Sequence, residues 1–281
     1  MKKHSQAEKA AIFKALHERA GLLVLPNPWN AGSARLLAAQ GFEALASTSA
    51  GLAWMLGKPD GAAAVTRKES MENAREIVGA TGLPVAADLE NGYGDDPEDC
   101  ARTILQAAEA GLVGGSIEDA TGKPDDPIYP FELAVERVRA AVKAARSLPF
   151  PFMLAARAEN LIHGRPDLPD TIRRLEAFAA AGADVLYAPG LKTREEVSAV
   201  VKAVAPRPVN VLIGTAALRL PLEELAALGV KRVSLGSALA RVAYGAMMQA
   251  AEGLRERSDL SFVGNSATYA TINDLLKKSY P

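Results

Sequence analysis

The chain has 281 residues, of which 49% are hydrophobic and 23% are charged, so it can bury a large core and lacks the composition of a disordered protein. Its 32 Lys and Arg nearly balance 33 Asp and Glu, and no basic stripe stands out, which argues against nucleic acid as the main partner. The single cysteine, Cys100, excludes an intrachain disulfide. The N-terminus is polar, and no apolar run is long enough for a membrane helix. We therefore expect a cytoplasmic protein with no membrane partner.

Eight short apolar runs alternate along the chain with longer, alanine-rich amphipathic segments. Because the runs are continuous rather than alternating, they predict parallel strands that are buried on both faces. The predicted strands are Leu22–Leu25, Ala44–Ser47, Pro84–Asp88, Gly115–Glu118, Phe152–Arg157, Asp184–Tyr187, Pro208–Leu212 and Arg232–Leu235.

Helices are predicted between and around these strands, and several of them end at a glycine that can adopt the left-handed conformation. A leading helix is expected over residues 5–20, and further helices are expected after the last strand. The others are Ala31–Gln40, Arg67–Ala80, Pro97–Ala110, Thr171–Ala181, a helix from Thr193 to about Ala205, Leu222–Leu228, Ala238–Glu256 and about Thr268–Lys278.

This alternation predicts the α/β class and, within it, a (β/α)8 TIM barrel. The alternative, an open doubly wound sheet, would show a glycine-rich first turn, whereas the first turn here is Pro26-Asn27-Pro28-Trp29-Asn30. No low-complexity linker interrupts the chain. We therefore expect one domain over residues 1–281, with residues 238–281 as a C-terminal helical extension.

Polar side chains stand at the carboxyl ends of the predicted strands, where barrel enzymes build their active sites. Asp88 and Glu90 follow the third strand, Glu118 ends the fourth and Arg157 ends the fifth. Crowded carboxylates repel one another unless a cation intervenes, and oxygen-only ligands suit Mg²⁺ or Mn²⁺. The alternative is a structural network in which the carboxylates form salt bridges with Arg157.

Four motifs together resemble those of the isocitrate lyase/phosphoenolpyruvate mutase superfamily, and the resemblance runs from about residue 22 to 245. One is Asp-Leu-Glu-Asn-Gly-Tyr-Gly at 88–94; the set of four is specific, whereas any single motif would be weak. The other three are the loop after the second strand (47–60), Ser-Ile-Glu-Asp (116–119) and Ala-Arg-Ala-Glu (156–159).

The resemblance implies a role for each matching position. Asp88 would bind the metal directly, and Glu90 and Glu118 would hold metal-bound waters. Arg157 would bind a carboxylate and stabilise developing negative charge. Substrate contacts would also come from Thr48, Ser49, Gly51 and Asn210, with Asp60 in the outer metal shell or near the reacting carbon.

The chain departs from the family at two points, the loop after the fourth strand and Leu45. The carbon–carbon lyases carry a loop cysteine as the acid, whereas residues 120–127 contain none, and Lys123 is the candidate stand-in for a gate residue. Cys100 is expected to be a packing residue. Leu45 stands where many members have an aromatic residue that packs on the substrate.

These features predict a Mg²⁺-dependent lyase that acts on a small 2-oxo acid or related carboxylate through an enolate, either as an oxaloacetate decarboxylase or as a carbon–carbon lyase. One alternative is P–C bond chemistry, as a phosphonopyruvate hydrolase or phosphoenolpyruvate mutase. Another is a non-catalytic protein that binds 2-oxo acids. The resemblance also implies a homotetramer built from two helix-swapped dimers.

Overall fold

A computed structural model describes residues 4–61, 63–214 and 217–278. In these ranges eight parallel strands form one sheet in the order β1-β8-β7-β6-β5-β4-β3-β2. The Ala46 amide donates to the Pro26 carbonyl over 3.2 Å, which links the end of β1 to β2. The predicted (β/α)8 barrel is therefore confirmed. Its strands are β1 (Leu23–Leu25), β2 (Leu45–Ala46), β3 (Val85–Asp88), β4 (Gly114–Glu118), β5 (Met153–Arg157), β6 (Val185–Tyr187), β7 (Val209–Leu212) and β8 (Arg232–Ser234).

Twelve α-helices lie within the described ranges, and they surround the sheet or extend beyond it. They are α1 (Gln6–Glu18), α2 (Ala31–Ala39), α3 (Ser49–Met55), α4 (Arg67–Ala80), α5 (Pro97–Glu109), α6 (Phe131–Arg146), α7 (Leu168–Ala180), α8 (Arg194–Val204), α9 (Leu222–Ala227), α10 (Ala238–Arg257), α11 (Phe262–Asn265) and α12 (Tyr269–Lys277). The predicted glycine stops after α2, α5, α7 and α9 have positive φ angles of 84° to 102°.

Three helices were missed by the sequence prediction: α3, α6 and the four-residue α11. The segment assigned to the loop after β2 begins with helix α3, which Thr48 caps by accepting from the Gly51 amide. The 16-residue α6 lacks a side-chain cap because Pro130 occupies its N-cap position, so the usual start signal is missing.

The barrel core has two layers. One lies between the strands and the surrounding helices, and the other fills the barrel interior at its amino end. There α1 inserts Phe13, which has no exposed surface, among residues of the strands. A Cβ on Gly114 would lie 3.0 Å from the Phe13 ring and 2.8 Å from the Met153 carbonyl oxygen, so the close approach of α1 requires glycine.

The C-terminal helices contribute little to this core. Of the described residues in α10, Ala240 and Gly253 alone are buried. Helix α12 contacts α2 through Arg35, which donates to the Leu276 carbonyl over 2.5 Å and to that of Lys278, just beyond α12, over 3.0 Å. Among the described residues no helix has both the length and the apolar content needed to cross a bilayer.

Candidate active site

The guanidinium of Arg157, at the end of β5, is the centre of a cluster of carboxylates at the barrel mouth. Its Nη1 lies 2.8 Å from Asp88 Oδ1, and its Nη2 lies 3.2 Å from Glu118 Oε2. Its Nε donates to Glu159 Oε1 over 2.7 Å. Because β3, β4 and β5 are parallel neighbours, their last residues meet on one side of the mouth.

Asp88 is held as an anion by its surroundings. The Ser49 hydroxyl donates to Asp88 Oδ2 over 2.8 Å, and the amides of Ser49 and Glu90 each approach the carboxylate at 3.4 Å. Burial opposes ionisation, but Arg157 and the hydrogen bonds from Ser49 outweigh it and lower the pKa of Asp88. The surroundings of Asp88 therefore favour its ionised form.

The pKa values of Glu90 and Glu118 are shifted in the opposite direction from that of Asp88. Burial, followed by repulsion from Asp88 and Asp60, raises the pKa of Glu90 to about 8. Burial also raises the pKa of Glu118 well above its usual range; Arg157 opposes this rise, and the nearby carboxylates add to it. The site thus holds more acidic groups than its positive charge can keep ionised.

The donor set of this site fits a hard divalent cation. Within the described residues no three His, Cys, Asp or Glu side chains are close enough to hold an ion by themselves. Mg²⁺, however, takes one or two direct carboxylates and keeps several waters. Ionised Asp88 with Glu90 and Glu118 nearby matches that requirement, because a bound cation would supply the positive charge that the site lacks.

The loop after β3 has an unusual backbone where it presents Glu90. The φ angle is +47° at Glu90, +83° at Gly92 and +60° at Tyr93. A left-handed conformation is uncommon for residues other than glycine and is concentrated at functional sites. The Glu118 amide donates to the Glu90 carbonyl over 3.0 Å, so β4 helps to hold this turn.

The predicted substrate loop after β2 is the start of α3. Thr48 uses its hydroxyl to cap the Gly51 amide over 3.3 Å, and Ser49 uses its hydroxyl for Asp88. A Cβ on Gly51 would lie 2.6 Å from Thr48 Cγ2 and 2.8 Å from Trp29 Cβ. The structure therefore accounts for glycine at this position by close packing against Trp29.

Asn210 lies below the mouth in a polar row that crosses the sheet. Arg157, Tyr187, Asn210 and Arg232 are successive register partners from β5 to β8. The amide nitrogen of Asn210 donates to Ser234 Oγ over 3.0 Å, and its oxygen accepts from Arg232 Nε over 2.8 Å. Asn210 is fully buried, so much of its bonding capacity is committed inside the barrel.

Two predicted residues lie outside the cluster around Arg157. Asp60 is exposed at the rim of the mouth, but nearby protein atoms partly desolvate its carboxyl group, and this desolvation, followed by repulsion from Asp88, raises its pKa. Lys123 Nζ lies 2.6 Å from Asp95 Oδ2, and the Tyr129 hydroxyl donates to the other oxygen of the same carboxylate. Lys123 is therefore bound to the loop after β3.

The sequence prediction missed Tyr187 and did not single out Glu159. The Tyr187 ring centre lies 4.9 Å from Arg157 Cζ, so the guanidinium rests on its face. Both residues stand at or just beyond a strand end, which is the signal that could have identified them. Leu45, which replaces the aromatic residue of many family members, is fully buried in the helix–sheet layer with Ile77 of α4.

Comparisons with known proteins agree with this architecture. A family model described as phosphoenolpyruvate phosphomutase matches residues 13–255. A crystal structure from Burkholderia cenocepacia J2315, provisionally assigned as a lyase/mutase, is 55% identical, with a TM-score of 0.94 over 97% of both chains.

Two other similar proteins have more specific names. Oxaloacetate acetylhydrolase in complex with its product oxalate is 28% identical, with a TM-score of 0.86 over 97% of this chain and 94% of the other. Oxaloacetate decarboxylase from Pseudomonas paraeruginosa is 30% identical over 285 residues, which cover 99% of this chain and 93% of the relative. This chain therefore belongs to the phosphoenolpyruvate phosphomutase family, within the isocitrate lyase/phosphoenolpyruvate mutase superfamily of enzymes.

Proposed function

We propose that this chain is a divalent-metal-dependent lyase that cleaves a carbon–carbon bond of a small 2-oxo acid, most simply by decarboxylating an oxaloacetate-like substrate. The observation that carries the proposal is the excess of buried carboxyl groups around Arg157 at the barrel mouth. The names of the similar proteins support the substrate class, since two of them name oxaloacetate.

The proposed ion is Mg²⁺, with Mn²⁺ as a substitute. Asp88 would bind it directly, Glu90 and Glu118 would act through bound waters, and Asp60 would contribute from the rim. When bound, the ion would polarise the substrate carbonyl and offset negative charge on its oxygen.

The chain's own groups would supply the remaining contacts. Arg157 would exchange part of its carboxylate partners for a substrate carboxylate, with Glu159 and the Tyr187 ring keeping its guanidinium oriented. Backbone amides at Thr48 and Ser49 would donate to a substrate oxygen where charge develops. We propose that Asn210 helps through its remaining amide hydrogen.

The choice of decarboxylation follows from the missing thiol. Residues 120–127 contain no cysteine. Cys100 is fully buried and packs in the helix layer as expected, and burial raises the pKa of its thiol to about 11. General acid catalysis contributes about 10²- to 10⁴-fold, so cleavage of isocitrate or methylisocitrate is expected to be at least about 10²-fold slower than in a proficient enzyme.

P–C bond chemistry remains a second candidate, because the matching family model is that of phosphoenolpyruvate phosphomutase. It would require a cationic gate over the mouth. Lys123, the proposed gate residue, is paired with Asp95 and has a 62% exposed side chain. A catalytic role for Lys123 would therefore require the loop after β4 to move.

A substrate screen tests the proposal. Oxaloacetate, isocitrate, methylisocitrate and phosphonopyruvate would be assayed with Mg²⁺ and with chelator, following carbon dioxide, pyruvate, glyoxylate and phosphate. We expect chelator-sensitive release of carbon dioxide from oxaloacetate, in excess of that with an Arg157→Met control. Calorimetric binding of a 2-oxo acid without turnover would instead identify a binding protein.

We also propose that residues 1–281 form one domain of a cytoplasmic enzyme and that α10 to α12 serve assembly. Apolar side chains on α10 are unusually exposed, with Val242 at 69%, Met247 at 59% and Met248 at 65%. Such a surface is typical of a subunit interface. We propose a homotetramer built from two helix-swapped dimers. A monomer by light scattering at micromolar concentration would contradict it.

A further inference from the structure

We infer that two arginines outside the mouth, Arg137 of α6 and Arg67 of α4, are positioning residues that fix the loop carrying Asp88 and Glu90. They hold the backbone of this loop from behind, on the side of the helix layer. The expected effect on metal affinity rests on the proposed function. The expected effect on the conformation of the loop does not depend on that function.

Arg137 contacts four carbonyl groups of a single loop. Its Nη1 donates to the carbonyl oxygens of Gly94 over 2.9 Å and of Asp96 over 3.4 Å, and also to that of Asp95. Its Nη2 donates to the Asn91 carbonyl oxygen. The side chain is 1% exposed, so these bonds are shielded from competing water.

Arg67 contacts the two carbonyl groups that Arg137 does not reach. Its Nη2 lies 3.1 Å from the carbonyl oxygens of both Gly92 and Tyr93, and 2.9 Å from Asp99 Oδ1. Together the two arginines bind six consecutive carbonyl groups, those of residues 91–96. We call this set of contacts the carbonyl clamp.

The irregular loop needs such a clamp because its backbone cannot form a ladder of its own. Positive φ angles at Glu90, Gly92 and Tyr93 turn successive peptide groups in different directions. Carbonyl groups without partners are costly to bury. The Thr103 hydroxyl also donates to that of Gly92 over 2.7 Å and the Asp99 amide to that of Asp96 over 3.0 Å, and the two arginines reach all six. A guanidinium is planar and holds several N–H donors in fixed directions. It can therefore bind carbonyl groups of a loop whose backbone is neither helix nor strand.

Stability alone is a poor explanation for Arg137. Its hydrogen bonds in the structure go to neutral carbonyl oxygens, and its guanidinium lies 4.1 Å from the centre of the Tyr129 ring. The Nε atoms of both Arg137 and Arg67 are buried without a hydrogen-bond partner. Burying a cation in this way costs free energy that apolar packing would not, so the clamp is better explained by the geometry it imposes on the loop.

Helix α6 provides a matched control. Arg146, the last residue of this helix, also binds backbone carbonyl groups, those of Phe152 and Gly182, over 3.3 Å and 3.0 Å. These lie at the amino ends of the strands, away from the mouth. Arg137→Lys and Arg146→Lys therefore make the same chemical change at two positions of one helix that contact opposite ends of the barrel.

The experiment measures three properties of the full-length, substrate-free protein: thermal stability, Mn²⁺ affinity by electron paramagnetic resonance, and amide hydrogen exchange of peptides covering residues 89–96. We expect Arg137→Lys to speed exchange in the loop and to weaken Mn²⁺ binding about 10-fold or more, as for other groups that orient metal ligands. Arg146→Lys should lower thermal stability while leaving both other properties unchanged. Arg67→Lys, which loses two carbonyl contacts, should show a smaller change of the same kind.

Unchanged exchange over residues 89–96 in folded Arg137→Lys would overturn the clamp. If Arg137→Lys does not fold, unchanged exchange in Arg67→Lys would do so. Faster exchange with unchanged Mn²⁺ affinity would overturn its role in positioning Asp88. Failure of the wild-type protein to bind Mn²⁺ would instead count against the proposed function, and loop exchange would still test the clamp.

Discussion

The two ends of the barrel differ in what their side chains do. At the amino end, α1 closes the barrel with Phe13, and buried His17 donates from Nδ1 to the Phe13 carbonyl oxygen over 2.8 Å. At the carboxyl end, Arg157 is surrounded by carboxyl groups in excess of its own charge. Parallel strands all point the same way, so one end can be optimised for packing while the other collects reactive groups.

The comparison predicts that changes at the two ends affect different measurements. A substitution at the amino end should lower the free energy of unfolding and leave kinetics intact. A substitution at the carboxyl end should reduce activity or metal affinity by more than its effect on stability explains.

The largest effect is expected for Arg157→Met. Loss of the guanidinium removes the cation that would face developing negative charge, which typically costs about 10²- to 10³-fold in kcat. Steady-state kinetics on the substrate found by the screen would measure it. Arg157→Lys keeps the positive charge but loses the planar set of N–H donors that can bind a carboxylate in two places, so it should recover little of the activity. Activity within threefold of wild type in Arg157→Met would contradict a role at the reacting centre.

Phe13→Ala should have the largest effect at the amino end. Removing a fully buried phenylalanine costs about 3–5 kcal/mol in the free energy of unfolding, measurable by urea denaturation. At a temperature where the variant is folded, kcat and Mn²⁺ affinity should stay within about twofold of wild type. A tenfold change in Mn²⁺ affinity would show that the two ends are coupled and would break the comparison.

His17 gives the amino end a pH dependence of its own. Burial, followed by the charge of Arg232, lowers the pKa of His17 to about 3, so the imidazole stays neutral in the folded protein. The unfolded chain takes up a proton near pH 6.5, so this contribution to stability is present above pH 6.5 and is lost as the pH falls towards 3.

We expect the free energy of unfolding to fall by about 1 kcal/mol between pH 7.5 and pH 5.5 on account of His17. Urea denaturation of wild type and His17→Leu at both values would isolate this share, because the variant cannot titrate there. An equal pH dependence in the two proteins would show that His17 is not responsible.

Local pattern was enough to predict the strands and most helices. The ends of the continuous apolar runs lie within two residues of the ends of the observed strands. The agreement is close because a parallel strand buried on both faces requires a nearly continuous run of apolar residues. Helix α6 was missed because Pro130 at its N-cap position hides the usual start signal. The turn of α3 was hidden inside a motif that had been assigned to a loop.

The sequence predicts those site residues that lie at the ends of strands. Asp88, Glu118 and Arg157 converge because three neighbouring strands end there. The partner of Lys123 was not predictable, because its pairing with Asp95 depends on how two loops meet. The carbonyl clamp was also beyond sequence reasoning, since Arg137 lies more than forty positions from the backbone groups it binds.

We propose that one divalent cation binds at the carboxyl end of the barrel with Asp88 as its direct ligand. The most direct measurement is a Mn²⁺ titration, by electron paramagnetic resonance, of wild type, Asp88→Ala, Glu90→Gln and Glu118→Gln. We predict saturation of wild type at one ion per chain, loss of binding in Asp88→Ala, and weakened binding in the two glutamine variants, which act through waters. Wild-type affinity in folded Asp88→Ala would contradict the assignment.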